Sequence, residues 1–162
     1  MYRHKPLSQY LAEGKTEADY VLNELYFIRC NCANAKDRLT EYDERLTSSK
    51  ISNMSATPVS GGGDATSNAW DKIIDAKDKP ESEYRENRHF ISRHENAMSV
   101  LNRAERIILE WYYQRDKGGR YNSVYDVIHE VNLEKPTIYK WRIIAYEKYK
   151  RAYGGMRAQN DK

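Results

Sequence analysis

Long apolar runs and cysteine are both scarce in this chain, and each scarcity excludes a class of protein. The longest apolar stretches are only a few residues long, so we expect no membrane span. Residues 1–6 are followed by no apolar run, so we expect no secretory signal. Two cysteines among 162 residues cannot build a disulfide framework, which favours a cytoplasmic protein. Cys30 and Cys32 would point to different sides of a helix, so we expect no shared metal ion.

Catalytic groupings are missing as well. The glycine run at 61–63 lacks the Gly-Lys-Ser/Thr sequence of a phosphate-binding loop, so we interpret it as a flexible linker. Carboxylates are numerous but scattered, and no nucleophile is paired with a base. We therefore expect no enzyme activity and no cofactor.

The excess of positive over negative charge is small for the whole chain, but it is unevenly distributed along the sequence. The net charge is +3, and residues 1–102 carry 14 Lys and Arg against 16 acids, whereas residues 103–162 carry 13 against 8. Between residues 135 and 151 there are six basic residues and one acid, Glu147. The basic character is therefore local, which is typical either of a nucleic-acid contact or of a solvated helix face.

The N-terminal part, residues 1–101, has the pattern of a long helical hairpin. Ser, Thr and Gly supply 11 of the 20 residues from 47 to 66, which predicts a flexible loop. On either side, apolar or small residues recur at alternating spacings of three and four, as in a coiled coil. The clearest members are Ile28, Cys32, Ala35, Leu39, Tyr42 and Leu46 before the loop, and Tyr84, Asn87, Ile91, His94, Met98 and Leu101 after it.

Two features of this hairpin leave alternatives open. Pro80 should kink or split the second helix. The polar Asn87 and His94 either set the pairing of the stripe or are partly exposed. The stripe can close within one chain or between two, and we expect a homodimer through the hairpin.

The C-terminal part, residues 102–153, predicts three shorter helices, followed by a disordered tail at 154–162. Asn102 and Glu105 form a capping-box pattern that starts the first helix. Asn122 or Ser123 caps a second helix that ends at Val131. Asn132 suits the left-handed turn that follows, and a last helix begins near Pro136. The fold class is therefore all-α.

Two helices joined by a turn of about four residues, the second of them basic, are typical of a helix-turn-helix. Residues near the start of the second helix reach base edges in a DNA major groove, and Lys and Arg around them meet phosphates. We predict that the residues contacting DNA are Lys135, Thr137, Tyr139, Lys140, Arg142 and Lys148.

At these residues the chain resembles a known family. Residues 123–149 resemble the helix-turn-helix of sigma factor region four, through Val124, Val127, Val131, Leu133, Ile138, Trp141, Ala145 and Tyr149. The sequence Thr137-Ile138-Tyr139-Lys140 after a short turn is similar to that of the phage ArpU/RinA-like late transcriptional regulators, which also have a helical N-terminal half with a Ser/Gly-rich loop.

The resemblance implies a sequence-specific DNA-binding regulator of phage or prophage origin, acting in the cytoplasm of a bacterial host. It further implies promoter DNA as a partner, and an activator of late genes that recruits the host RNA polymerase. Two alternatives remain: a small terminase subunit that recognises DNA for packaging, and a protein-interaction module that binds the polymerase without DNA.

Overall fold

The computed structural model describes residues 4–55, 63–114, 117 and 119–155, without the side chains of 49–55, 63–71 and 73. Every regular element in these ranges is a helix, so the expected all-α class is confirmed. The helices are α1 (Leu7–Ala12), α2 (Glu17–Ser55), α3 (Gly63–Ser99), α4 (Arg103–Gln114), α5 (Val124–Val131) and α6 (Lys135–Gly155). Within the described ranges, none of them is long and apolar enough to cross a bilayer.

The chain forms two compact units, and both long helices contribute to each. The large unit comprises Met1–Arg29 and His89–Lys162, and the small unit comprises Cys30–Arg88. The predicted division after residue 101 does not follow these units. The reason is that the first turns of α2 pack with the C-terminal helices: the Gln114 side-chain amide donates to the Leu22 carbonyl, and Lys117 donates to the Asn23 carbonyl.

In the small unit, two ion pairs join α2 to α3. Arg38 lies 2.5 Å from Glu83, and Lys77 lies 2.6 Å from Asp43. The partners occur in reversed order along the two helices, which is the order of antiparallel neighbours. Both pairs lie on the solvent-accessible surface, so each contributes little to the free energy of unfolding.

The predicted loop at 47–66 is too long, because α2 continues to Ser55 and α3 begins at Gly63. Ser and Thr are weaker helix formers than Ala by only a few tenths of a kcal/mol, and the Thr47 hydroxyl donates to the Asp43 carbonyl inside α2 at 2.8 Å. Pro58 and the glycines at 61 and 62, which are much stronger helix breakers, lie outside the described residues. The composition of residues 47–66 therefore overstated the length of the break, because its first part is helical.

Pro80 was expected to kink or split the second long helix, and the split is wrong, since α3 runs through this residue. Proline removes one backbone donor and crowds the preceding turn, but α3 has 37 residues whose remaining hydrogen bonds hold the helix on both sides. Helix α2 begins at a side-chain cap. Thr16 and Asp19 cap it, with the Asp19 carboxylate accepting from the Thr16 amide at 2.7 Å and from its hydroxyl at 2.8 Å.

Candidate nucleic-acid interface

Helix α5 begins at a capping box that the sequence specifies locally. The Asp126 amide donates to the Ser123 hydroxyl oxygen at 3.2 Å, and the Asp126 carboxylate accepts from the Ser123 amide at 2.9 Å. These bonds from Ser123 hold the pKa of Asp126 below its usual range. The cap fixes where the first helix of the pair starts, and Ser123 rather than Asn122 provides it.

Helix α5 ends at a left-handed residue, as predicted. Asn132 has φ 53° and ψ 47°, and its amide donates to the Ile128 carbonyl at 2.9 Å. Asparagine tolerates this conformation better than other side chains do. Helix α6 then begins at Lys135 with Pro136 in its first turn, where the missing proline N–H has no helical partner to lose.

The two helices are fixed against α4 by a small apolar core. Val127 of α5 and Ile138 of α6 are fully buried, together with Ile107, Ile108 and Trp111 of α4. Trp141 packs against the same cluster while remaining partly exposed. Because the side of α6 that carries Ile138 packs against this core, the opposite side of the helix faces outward.

The outward side of α6 carries most of the predicted DNA contacts. Its exposed positions up to residue 151 are Lys135, Pro136, Tyr139, Lys140, Ile143, Ile144, Glu147, Lys148 and Arg151. Lys135, Tyr139 and Lys140 therefore lie on one exposed surface, and Thr137 is half-buried beside it. The Tyr139 ring also makes a T-shaped contact with Trp111, with ring centroids 5.9 Å apart.

Two of the six predicted residues are held by partners within the protein. The Arg142 guanidinium lies over the Tyr112 ring, 4.2 Å from its centroid. Lys148 donates to the buried carboxylate of Glu105, whose other oxygen accepts from the Asn102 amide at 3.0 Å. The structure therefore brings Lys135, Tyr139 and Lys140 together, and it separates Arg142 and Lys148 from them.

Tyrosines on the inner side of α6 connect this helix to the long helices. The Tyr149 hydroxyl lies 3.0 Å from Nδ1 of His94 on α3, and both side chains are buried. Burial, with a smaller contribution from Arg29, lowers the pKa of His94 to about 4, so this histidine is neutral at pH 7. His94, one of the two polar residues in the predicted stripe, is therefore buried and contacts α6.

A second connection involves the end of α6. The Tyr153 hydroxyl donates to Glu17 at 2.9 Å, Arg93 pairs with the same carboxylate, and Arg93 also donates to the Tyr153 carbonyl at 2.8 Å. Tyr146, two turns earlier on α6, donates to Asp19. Sequence reasoning missed these contacts, although the spacing of Tyr146, Tyr149 and Tyr153 marks one helical side and could have indicated them.

A half-open cavity of about 250 Å³ lies beside this network, lined by Leu22, Leu25, Met98 and Leu109 with Arg29 at its edge. Across the residues whose positions are described, no three His, Cys, Asp or Glu side chains are grouped as a metal site would require. Cys30 is half-buried and Cys32 is buried, and both are free thiols.

Comparison with known proteins adds no assignment to this geometry. The chain matches no protein-family model, and no curated protein or solved structure is significantly similar to it.

Proposed function

We propose that this protein binds double-stranded DNA sequence-specifically through a helix-turn-helix formed by α5, the turn at Asn132 and α6, and that it regulates transcription. The observation that carries the proposal is the outward surface at the start of α6. There Lys135, Tyr139 and Lys140 are exposed together while Ile138 anchors the helix from below.

The dimensions of α6 suit a major groove. An α-helix with its side chains is about 10–12 Å in diameter, and the B-DNA major groove is about 12 Å wide. The burial of Val127 and Ile138 holds α6 from one side and leaves its other side free to enter such a groove.

The charge of this surface suits a polyanion. Lys135, Lys140 and Arg151 are exposed on α6 and form no ion pair among the described residues, whereas Glu147 is the only acid of this helix. Lysine and arginine side chains that neutralise phosphates release counterions and so supply sequence-independent affinity. Base edges read by neighbouring side chains would add specificity.

The same proposal gives the small unit a role. The antiparallel order of its two ion pairs supports a helical hairpin, which would form a homodimer or contact RNA polymerase. The family resemblance favours a phage or prophage activator of late genes in the cytoplasm of a bacterial host. A dimer would place two recognition helices on two half-sites of an operator.

Two lysines of α6 provide the test, because both are exposed but, among the described residues, only Lys148 is paired with a carboxylate. We would select bound duplexes from random DNA with the full chain, then measure Kd against salt concentration for wild type, Lys140→Ala and Lys148→Ala. Lys140→Ala should reduce the slope of log K against log salt by about 0.9, the value for one phosphate contact. Lys148→Ala removes the same charge from the same helix, but Glu105 holds that lysine, so the slope should stay unchanged.

Other outcomes identify the alternatives. Equal slopes for both variants would contradict the assigned surface. Absence of DNA retention even at low salt, with α6 folded, would favour the protein-interaction module. A solution mass corresponding to a ring of many subunits would favour the small terminase subunit.

A further inference from the structure

We infer that Ile143 and Ile144 read the methyl groups of thymine in the major groove, which makes them specificity-determining residues. This inference rests on the proposed DNA binding of α6 and adds the chemical feature that the helix recognises. The charge of the outward surface does not depend on either isoleucine.

The two isoleucines are exposed apolar side chains side by side on the outward surface. Ile143 is 55% exposed and Ile144 is 51% exposed. With Lys140 and Glu147 they occupy positions i, i+3, i+4 and i+7, so all four share one side of α6. They lie opposite the buried Ile138, and so they add nothing to the core beneath the helix.

Helix stability does not explain their presence. Isoleucine is a poorer helix former than alanine, lysine or glutamate, because its branched Cβ loses rotamer freedom against the preceding turn. The exposed half of each isoleucine also gains no hydrophobic free energy until something covers it. Two adjacent isoleucines in the third turn of a basic helix therefore indicate a partner that offers apolar groups to this surface.

The exposed cations that flank the isoleucines favour DNA as this partner. Lys140 precedes the isoleucines by one turn and Arg151 follows them by two, and both are exposed. If these cations meet phosphates on the two sides of a groove, the residues between them face its floor. The apolar group that the major-groove floor presents there is the C5 methyl of thymine, which aliphatic side chains contact.

The test removes only that methyl group. For the tightest duplex from the selection, each thymine in the bound motif is replaced by deoxyuridine, and Kd is measured for wild type and for the double variant Ile143→Ala, Ile144→Ala. Burial of one methyl corresponds to about a fourfold change in Kd, so wild type should bind the deoxyuridine duplex about four- to fifteenfold more weakly. The double variant should bind the two duplexes equally, and wild type and variant should bind the deoxyuridine duplex about equally.

Three results would overturn the inference. One is equal binding of the thymine and deoxyuridine duplexes by wild type, which leaves DNA binding itself intact. A second is a double variant that keeps the thymine preference, which would give the isoleucines another role, such as contact with a protein. The third is absence of any duplex binding by wild type, which would overturn the proposed function as well. Circular dichroism and an unchanged salt slope for the double variant show that α6 remains folded and positioned.

Discussion

Ile138 and Ile144 are the same residue type on the same helix, yet one is fully buried and the other is about half exposed. Replacing Ile138 by alanine removes three buried carbon groups at about 0.8 kcal/mol each, or roughly 2.4 kcal/mol in all. The cavity left next to Val127 and Trp111 should raise the loss of unfolding free energy to about 3–4 kcal/mol. The Ile144→Ala variant should change it by less than about 0.5 kcal/mol.

The two variants share their change in helix propensity, so the difference between them measures burial alone. Urea unfolding followed by tryptophan fluorescence is a suitable assay, because Trp111 and Trp141 belong to the same cluster as Ile138. Equal losses of unfolding free energy in the two variants would show that Ile138 and Ile144 are equally buried, which would contradict the orientation of α6 about its axis. The assignment of its outward surface would then fail with it.

Three further predictions concern the turn, the cap and one buried histidine. Asn132→Gly should leave the free energy of unfolding nearly unchanged in thermal or urea unfolding. Asn132→Val should lower it by about 1–2 kcal/mol, because a branched side chain strains the left-handed backbone. Ser123→Ala should cost about 1 kcal/mol in the same assay through loss of the cap, and a loss near zero would contradict it. His94 stays neutral when folded down to about pH 4 but takes up a proton near pH 6.5 when unfolded, so stability should fall by roughly 3 kcal/mol as the pH drops through this window. His94→Gln should remove this dependence between pH 6.5 and 4.5, whereas His89→Gln at an exposed position should keep it.

The C-terminal helices could be predicted from the sequence because their boundaries are local. The capping boxes at Asn102 and Ser123 each involve residues three apart, and the turn at Asn132 depends on one residue's backbone preference. Burial of Val127 and Ile138 followed from helical spacing. Such signals lie within a few residues of the structure that they specify.

The contacts that join distant parts of the chain had no such signal. Tyr149 and His94 are 55 residues apart, and Lys148 and Glu105 are 43 apart. Periodicity showed that His94 lies on an inward side of its helix, but it could not show which helix covers it. The same limit explains why Lys148 was included in the predicted DNA contact, since an exposed cation and a cation paired with a buried carboxylate look alike in sequence.

The predicted length of the central loop was wrong for a different reason. Composition reports the intrinsic helix propensity of each residue. Helix propagation is cooperative, however, so a long helix continues through residues of low propensity until a strong helix breaker ends it. Threonine at position 47 continues the helix, so its presence did not mark the end.

The specificity ratio of the full chain tests the central claim most directly. It is the Kd for a scrambled duplex divided by the Kd for the duplex selected from random DNA, measured at physiological salt. A sequence-specific regulator should show a ratio of about 10³ or more. A ratio near 1, or failure of any sequence to be enriched, would contradict the account of α6 as a recognition helix.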